Sequence, residues 1–170
     1  MGGREVGGLA TLLSGHRDLA NAEHRAEVAK LWGIDTVPAT PGKSAVEMFN
    51  AVREGEIKLL WIACTNPAQS MPNANIVREA LQKAELVVVQ EAYAQTDTTA
   101  YADVLLPASS WGEKEGTVTN SERRITHVRP AVPAPGEARN DWEIVVDFAR
   151  RLEKCLRPGQ PSLFAYEQVE

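Results

Sequence analysis

A chain of 170 residues is long enough to form one domain with a sizeable hydrophobic core. Its net charge of −5 and its pI near 5.3 argue against a general nucleic-acid-binding or anionic-membrane surface, and no apolar run approaches the roughly 18 residues of a membrane span. The two cysteines, Cys64 and Cys155, match no metal-ligand spacing, so we expect a cytoplasmic protein with free thiols and predict no metal site.

The first part of the chain predicts two helices. The Gly-rich segment 1–8 is not expected to form a regular element. A helix is predicted over 21–32, with Asn21 as its N-terminal cap, because Ser, Thr, Asp and Asn side chains accept hydrogen bonds from the first free backbone N–H groups. A second helix is predicted over 44–54, and Gly55 ends it.

Two apolar runs joined by a helix form the centre of the chain. The first run covers 57–63, the helical pattern 73–84, and the second run 86–89, which together predict a βαβ unit. Because both runs are apolar at nearly every position, they predict parallel strands covered by helices on both faces. The sheet-facing side chains of the helix are predicted to be Ile76, Ala80, Leu81 and Ala84.

The remaining pattern completes an α/β domain. A short helix is predicted over 96–102, a third strand over 103–107, and a loop dense in polar groups over 108–120. A strand or extended arm follows over 123–128, and a long amphipathic helix over 140–156. The apolar stripe of that helix is predicted to consist of Ile144, Val145, Phe148 and Leu152.

Polar residues at the ends of the two central strands are the candidate ligand-binding groups, because ligands of open α/β sheets lie at the carboxyl ends of strands. Thr65 and Asn66 close the first strand and either hold a phosphate or base edge or form an Asx-type turn. Gln90 and Glu91 close the second strand, where Glu91 either accepts hydrogen bonds from a ribose or base or is a solvated loop carboxylate. The first turn lacks G-x-G-x-x-G, so an ordinary dinucleotide-binding domain is not predicted.

Other reactive side chains give weaker patterns. Lys114 lies between two carboxylates in a glycine-bounded loop; it could contact a phosphate or ribose, but the loop taken alone is more typical of a solvated charge run. The three histidines have no zinc-ligand spacing. Cys64 follows a buried strand and predicts a core thiol rather than a nucleophile. No Ser/His/Asp constellation is present, so no catalytic residue is predicted.

Four segments together resemble a known family. They are MGGREVGG at 1–8, LWIACTNPAQSMPN at 60–73, ADVLLPASSWGEKEGTVTNSERR at 102–124 and PAPGEARNDWEI at 133–144. Their order and spacing resemble the third domain of the molybdopterin-guanine-dinucleotide oxidoreductases, the DMSO reductase superfamily, with the assimilatory nitrate reductases as the nearest group. The resemblance implies a three-layer α/β/α Rossmann-like domain with a mainly parallel sheet over 1–157, followed by a tail over 158–170.

The resemblance also implies a ligand and the residues that hold it. The ligand is one guanosine end of a molybdenum bis(molybdopterin guanine dinucleotide) cofactor. The family's strand-end asparagine falls on Asn66, and its polar–acidic pair, commonly Ser-Asp, falls on Gln90 and Glu91. The lysine of its E-K-x-G loop falls on Lys114, and the aspartate of its E-A-R-x-D segment falls on Asp141.

The function implied by the resemblance is that of one part of a nitrate reductase. The family's cysteine motif for a [4Fe–4S] cluster, its molybdenum-ligating residue and its C-terminal pterin-binding domain are not found in this sequence, so we interpret the chain as a fragment without turnover of its own. The expected partners are the missing domains of the parent enzyme and its electron-donor protein. The alternatives are a domain of a formate dehydrogenase alpha subunit and a free-standing guanine-nucleotide-binding module.

A fragment is expected to expose apolar patches where other domains would pack, and these patches would favour self-association of the isolated chain. The residues predicted to form them are Leu9, Leu12, Leu13 and Trp111.

Overall fold

A computed structural model describes residues 2–168, which divide into two compact units. The first unit contains residues 2–43, 115–128 and 148–168. The second contains Ser44–Lys114 and Arg129–Asp147, and it includes all the predicted site residues. The domain boundary expected between residues 157 and 158 stays a prediction.

The second unit is built on a parallel sheet. Its elements are α3 (Ala45–Arg53), β3 (Leu59–Ala63), α4 (Pro67–Ser70), α5 (Ala74–Lys83), β4 (Leu86–Glu91), a 3₁₀ turn (Thr99–Tyr101), β5 (Val104–Pro107) and the start of α6 (Asp141–Leu156). The strand order is β3-β4-β5, and both pairs are parallel. The α/β class with a parallel sheet is therefore confirmed.

One face of this sheet carries the main hydrophobic core. The α3 and α5 helices both pack against it, and each fully buried Val, Leu, Ile or Phe side chain there contributes about 1.5–3 kcal/mol. The buried residues are Phe49, Val52, Leu60, Ile62, Ala68, Val77, Ala80, Leu81, Val87 and Val89. On α5 the buried positions include Val77, which the sequence pattern did not single out, whereas Ile76 is only partly buried.

The opposite face of the sheet is partly exposed. Successive side chains of a strand point to opposite faces, so Leu59 and Trp61 lie on the other side from Leu60. Leu59 is 53% exposed, Val104 is 41% exposed and Trp61 is partly buried. Among the described residues, the helical cover expected on both faces is therefore complete on the α3/α5 face only.

The start of α3 shows how local sequence fixes an element. The Ser44 hydroxyl accepts a hydrogen bond from the Glu47 N–H at 3.4 Å, and the Glu47 carboxylate accepts one from the Ser44 N–H at 2.7 Å. This reciprocal capping box satisfies two backbone donors that have no partner inside the helix.

We expect Ser44→Ala to lower the free energy of unfolding by about 1 kcal/mol, because the alanine cannot accept the Glu47 N–H. Urea unfolding of the 170-residue chain measures this difference. The control is Glu47→Gln, since glutamine also completes a capping box and is expected to retain most of the stability. A Ser44→Ala variant as stable as the unchanged chain would contradict the assignment.

The first unit is made of short elements. They are α1 (Gly2–Glu5), β1 (Leu12–Leu13), a 3₁₀ turn (Ser14–His16), β2 (Arg17–Asp18), α2 (Ala22–Trp32), β6 (Gly116–Thr119), β7 (Ile125–Val128) and the end of α6. A small core joins Leu13, Leu19 and Val28, with Val37 packed against it. The Asn21 side chain caps α2 as predicted, accepting hydrogen bonds from two backbone N–H groups.

Several predictions for these elements are wrong. The Gly-rich start contains the one-turn helix α1, and the predicted loop over 108–120 contains β6, which pairs antiparallel with β7. In the predicted stripe of α6 only Ile144 is buried, whereas the remaining three are 44–48% exposed. No helix among residues 2–168 is both long and apolar enough to cross a membrane.

The patches predicted for a fragment are present in part. Leu9 is 44% exposed and Trp111 is 63% exposed, but Leu13 is buried in the small core and Leu12 is partly buried. Leu13 was mispredicted because its strand, β1, pairs locally with β2 and turns the side chain inward.

Candidate functional site

Two neighbouring strand ends position the first groups of the site. In the parallel pair of β3 and β4, Ala63 lies beside Gln90, so the residues that follow β3 begin next to the end of β4. The backbone N–H of Cys64 donates to the Gln90 carbonyl at 3.0 Å and continues this pairing. Cys64 has a φ of 58°, the left-handed region that non-glycine residues rarely adopt, and there the chain leaves the strand.

Asp141, at the start of α6, is the centre of a polar cluster. Its Oδ1 accepts hydrogen bonds from Gln90 Nε2 at 2.8 Å and from Cys64 Sγ at 3.3 Å. Its Oδ2 forms an ion pair with Lys114 Nζ at 3.0 Å. Four separate segments of the second unit thus meet at one carboxylate, which we call the Asp141 cluster (Cys64, Gln90, Lys114 and Asp141).

The contacts of the cluster keep Asp141 charged. Desolvation is the largest single influence and raises the pKa of this carboxyl, but the hydrogen bonds from Lys114, Gln90 and Cys64 outweigh it and bring the pKa below its ordinary value. The pKa of the Cys64 thiol is raised to about 11, first by desolvation and then by its hydrogen bond to Asp141 and that residue's negative charge. Cys64 is therefore a protonated donor at neutral pH.

Gln90 has an unused acceptor. The residue is 1% exposed, and its carboxamide nitrogen is committed to Asp141. Its Oε1 is buried and has no hydrogen-bond partner among the described residues. A buried acceptor without a donor is unfavourable by about 1–3 kcal/mol, so this oxygen fits a site that a ligand donor or an ordered water completes.

Lys114 is held on two sides. Besides its ion pair with Asp141, its Nζ lies 4.8 Å from the centre of the Trp111 ring, a cation–π arrangement. Its side chain is 22% exposed, so the solvated charge run considered from the sequence is wrong for this residue. A partly buried cation beside a carboxylate can also contact an anionic ligand group.

Asn66 forms hydrogen bonds within the turn that follows β3, and its predicted binding role stays a prediction. Its Oδ1 accepts hydrogen bonds from the Thr98 hydroxyl at 2.6 Å and the Thr98 N–H at 3.1 Å, and its Nδ2 donates to Gln69. The Thr98 hydroxyl in turn accepts from the Ala68 N–H at 3.1 Å. The Asn66 amide therefore fixes the turn after β3, and these hydrogen bonds do not join the Asp141 cluster.

Glu91 and Thr65 also stand outside the Asp141 cluster. Gln90 and Glu91 are the last two residues of β4, so their side chains point to opposite faces of the sheet. The Glu91 carboxylate accepts from the N–H of Ala92 at 2.7 Å, inside its own turn. Thr65 is exposed at the end of the first strand. The binding roles predicted for these two residues stay predictions.

Two contributors were not found from the sequence. Cys64 was expected to be a core thiol, but it is exposed and contacts Asp141. Thr98 is fully buried and closes the Asn66 turn, a role that no local pattern indicates. Among residues 2–168, no three His, Cys, Asp or Glu side chains are grouped so that they could hold a metal ion.

Known proteins are similar to this chain in both sequence and fold. Residues 2–151 match the molybdopterin oxidoreductase family. The chain is 47% identical over 167 residues to a nitrate reductase of Klebsiella oxytoca, an alignment that covers 98% of this chain and 18% of that protein. It is 44% identical over 171 residues to the assimilatory nitrate reductase catalytic subunit of Bacillus subtilis (strain 168). That alignment covers 99% of this chain and 23% of the Bacillus protein. The chain thus spans about a fifth of the length of these relatives.

A solved structure of a known protein has a similar fold. The acetylene hydratase from Pelobacter acetylenicus superposes with a TM-score of 0.57 at 22% sequence identity. The match covers 63% of this chain and 15% of that chain. At this identity the similarity establishes a shared fold.

Proposed function

The chain belongs to the molybdopterin oxidoreductase family, and from this premise we propose that its Asp141 cluster binds the guanosine-phosphate end of a bis(molybdopterin guanine dinucleotide) cofactor. The enzyme in which it does so is a molybdenum-dependent nitrate reductase that converts nitrate to nitrite. The family itself carries a molybdenum–pterin cofactor; the guanine dinucleotide form and the nitrate substrate are part of the proposal.

The observation that carries the proposal is the convergence of complementary groups at one strand edge. The charged Asp141 carboxylate accepts N–H or O–H donors, as a guanine edge or a ribose supplies. Lys114 matches a negatively charged phosphate, and the buried Oε1 of Gln90 accepts one further donor. A guanosine phosphate carries both the donors and the negative charge that this set of residues requires.

In this proposal the chain binds and orients, and the cofactor supplies oxygen-atom-transfer chemistry at molybdenum when it is bound. No residue of the Asp141 cluster is assigned a catalytic role. The molybdenum ligand, the [4Fe–4S] cluster and the electron-donor protein belong to the rest of the enzyme, which we place in the cytoplasm. The partly exposed apolar side chains Val145, Phe148 and Leu152 are suited to pack against that remainder.

We expect GMP and GDP to shift the backbone amide NMR signals of Cys64, Gln90, Lys114 and Asp141 when the 170-residue chain is titrated. The shifts should group at these strand ends, because both nucleotides carry the guanosine and at least one phosphate. AMP at the same concentration is the control and should produce smaller shifts, since adenine lacks the N–H donors of the guanine edge. Absence of any shift at millimolar GMP and GDP would contradict the proposed binding role of the chain.

A further inference from the structure

The two oxygens of the Asp141 carboxylate differ in how many hydrogen bonds they can still accept. A carboxylate oxygen has about two acceptor positions. Those of Oδ1 are both taken, by Gln90 Nε2 at 2.8 Å and by Cys64 Sγ at 3.3 Å. Oδ2 receives Lys114 Nζ alone and keeps one acceptor position. The carboxylate is thus turned so that its remaining capacity lies beside the lysine.

We propose that Cys64 is a positioning residue of the nucleotide site: together with Gln90 it fixes Oδ1 of Asp141, so that Asp141 presents Oδ2 to the ligand. This inference rests on the proposed guanosine-binding function and adds a residue to it. Cys64 does not itself need to contact the ligand, because it acts through the orientation of Asp141.

The backbone supports a specific role for this position. Cys64 has a φ of 58°, a conformation that is unfavourable for a residue with a Cβ and that tends to persist at functional sites. Immediately after β3, the same residue pairs its N–H with the Gln90 carbonyl at 3.0 Å. Cys64 therefore contacts Gln90 through its backbone and Asp141 through its thiol, so the three residues form one connected unit.

A second, independent observation points to a ligand at this unit. The Gln90 carboxamide donates from Nε2 to the Asp141 carboxylate, and the Oε1 of the same carboxamide is buried and has no hydrogen-bond partner among the described residues. The residue is 1% exposed, so bulk water does not satisfy the oxygen. A ligand donor that reaches Oε1 would complete the same unit that Cys64 and Gln90 form around Asp141.

The raised thiol pKa agrees with this role. With a pKa of about 11, Cys64 keeps its proton at neutral pH and so can donate to the carboxylate rather than repel it. A Cys64 thiolate at 3.3 Å from Asp141 Oδ1 would place two negative charges side by side. Lys114, the one lysine of the cluster, would offset only one of them.

The test compares Cys64→Ala and Cys64→Ser in the 170-residue chain, with GMP affinity measured by isothermal titration calorimetry. Alanine removes the donor, and we expect it to weaken GMP binding about fivefold, the size of one modest hydrogen bond. Serine still donates, and we expect it to bind within about twofold of the unchanged chain. Cys155→Ala is the matched control, because Cys155 is an exposed free cysteine of the first unit, and it should leave the affinity unchanged.

A spectroscopic measurement separates positioning from packing. In Cys64→Ala the ¹³C NMR titration of the Asp141 carboxyl should show a higher pKa, because a hydrogen bond to the charged form is lost, and Cys64→Ser should restore the lower pKa. A role in packing alone would leave this pKa where it is.

Each result supports or overturns the inference. The positioning role of Cys64 is overturned if Cys64→Ala binds GMP as tightly as the unchanged chain, or more tightly. It is also overturned if Cys64→Ala and Cys64→Ser lose the same amount of affinity. In both cases the proposed guanosine-binding function stands, because the unchanged chain still binds GMP. Failure of the unchanged chain to bind GMP and GDP overturns the proposed function, and the positioning role for a nucleotide with it.

Discussion

Replacement of Asp141 by asparagine is expected to weaken GMP binding about thirtyfold, equivalent to about 2 kcal/mol. Asparagine preserves the side-chain volume but removes the negative charge, and its NH₂ group would face the donors of Gln90 or Lys114. The site then loses both an acceptor for the ligand and the alignment of its neighbours. Isothermal titration calorimetry with GMP on the 170-residue chain measures the loss.

The control for this prediction lies on the same helix. Asp147→Asn also removes one negative charge from α6, at a residue whose ion pair with Arg139 is 3.2 Å long and partly exposed, with 49% of the Arg139 and 39% of the Asp147 side chain accessible. This ion pair lies outside the Asp141 cluster, so we expect GMP affinity to stay within about twofold. Equal losses in the two variants would mean that the net charge of α6, rather than the Asp141 cluster, determines binding.

The pH dependence of the same affinity gives a second check. Desolvation raises the pKa of Asp141, but the hydrogen bonds from Lys114, Gln90 and Cys64 lower it further than burial raises it. The carboxylate therefore stays charged below the ordinary aspartate pKa of about 3.9, so we expect the titration of Asp141 to cause no loss of GMP affinity between about pH 7 and pH 5. A loss in this range is assigned to protonation of the GMP phosphate, whose second pKa is about 6. The stability that these contacts contribute is present above the unfolded-state pKa and is lost as the pH falls through the lowered folded-state pKa.

The sequence predicted the scaffold of the site better than its contacts. Apolar runs, caps and glycines placed β3, β4 and α5 within a few residues, because those signals are local. The hydrogen bond between Gln90 and Asp141 connects residues that are 51 positions apart in the sequence. The hydrogen bond between Cys64 and Asp141 connects residues that are 77 positions apart. No periodicity or spacing carries such information, so Asp141 entered the prediction only through the family resemblance, and that family is now confirmed.

The errors have equally specific causes. Gln90 and Glu91 were treated as one group after the strand, but both are strand residues, so alternation separates their side chains. On α5 the prediction of Ala80 and Leu81 as sheet-facing residues is confirmed, but Val77 rather than Ile76 is the buried residue in the preceding turn. On α6 the apolar stripe is real, but a pattern cannot tell whether a partner covers it, and Phe148 is 48% exposed.

Thr98 shows why a buried polar group can determine the shape of a site without touching it. Its hydroxyl donates to Asn66 Oδ1 at 2.6 Å and accepts the Ala68 N–H at 3.1 Å, and both Thr98 and Ala68 are fully buried. This hydroxyl therefore links two parts of the turn after β3, which carries the chain away from Cys64. Local sequence gave no signal for it, because the partners are about 30 residues apart.

Thr98→Val is accordingly expected to lower the free energy of unfolding by about 2–3 kcal/mol, since valine keeps the shape but leaves the buried Ala68 N–H without an acceptor. Thr98→Ser retains the hydroxyl and loses one methyl group, so a smaller loss of about 1 kcal/mol is expected. Urea unfolding measures both losses. The control is Thr117→Val, at an exposed position of β6, and it should change the free energy of unfolding by no more than about 0.5 kcal/mol. If Thr98→Ser proved less stable than Thr98→Val, the methyl group rather than the hydroxyl would hold the turn.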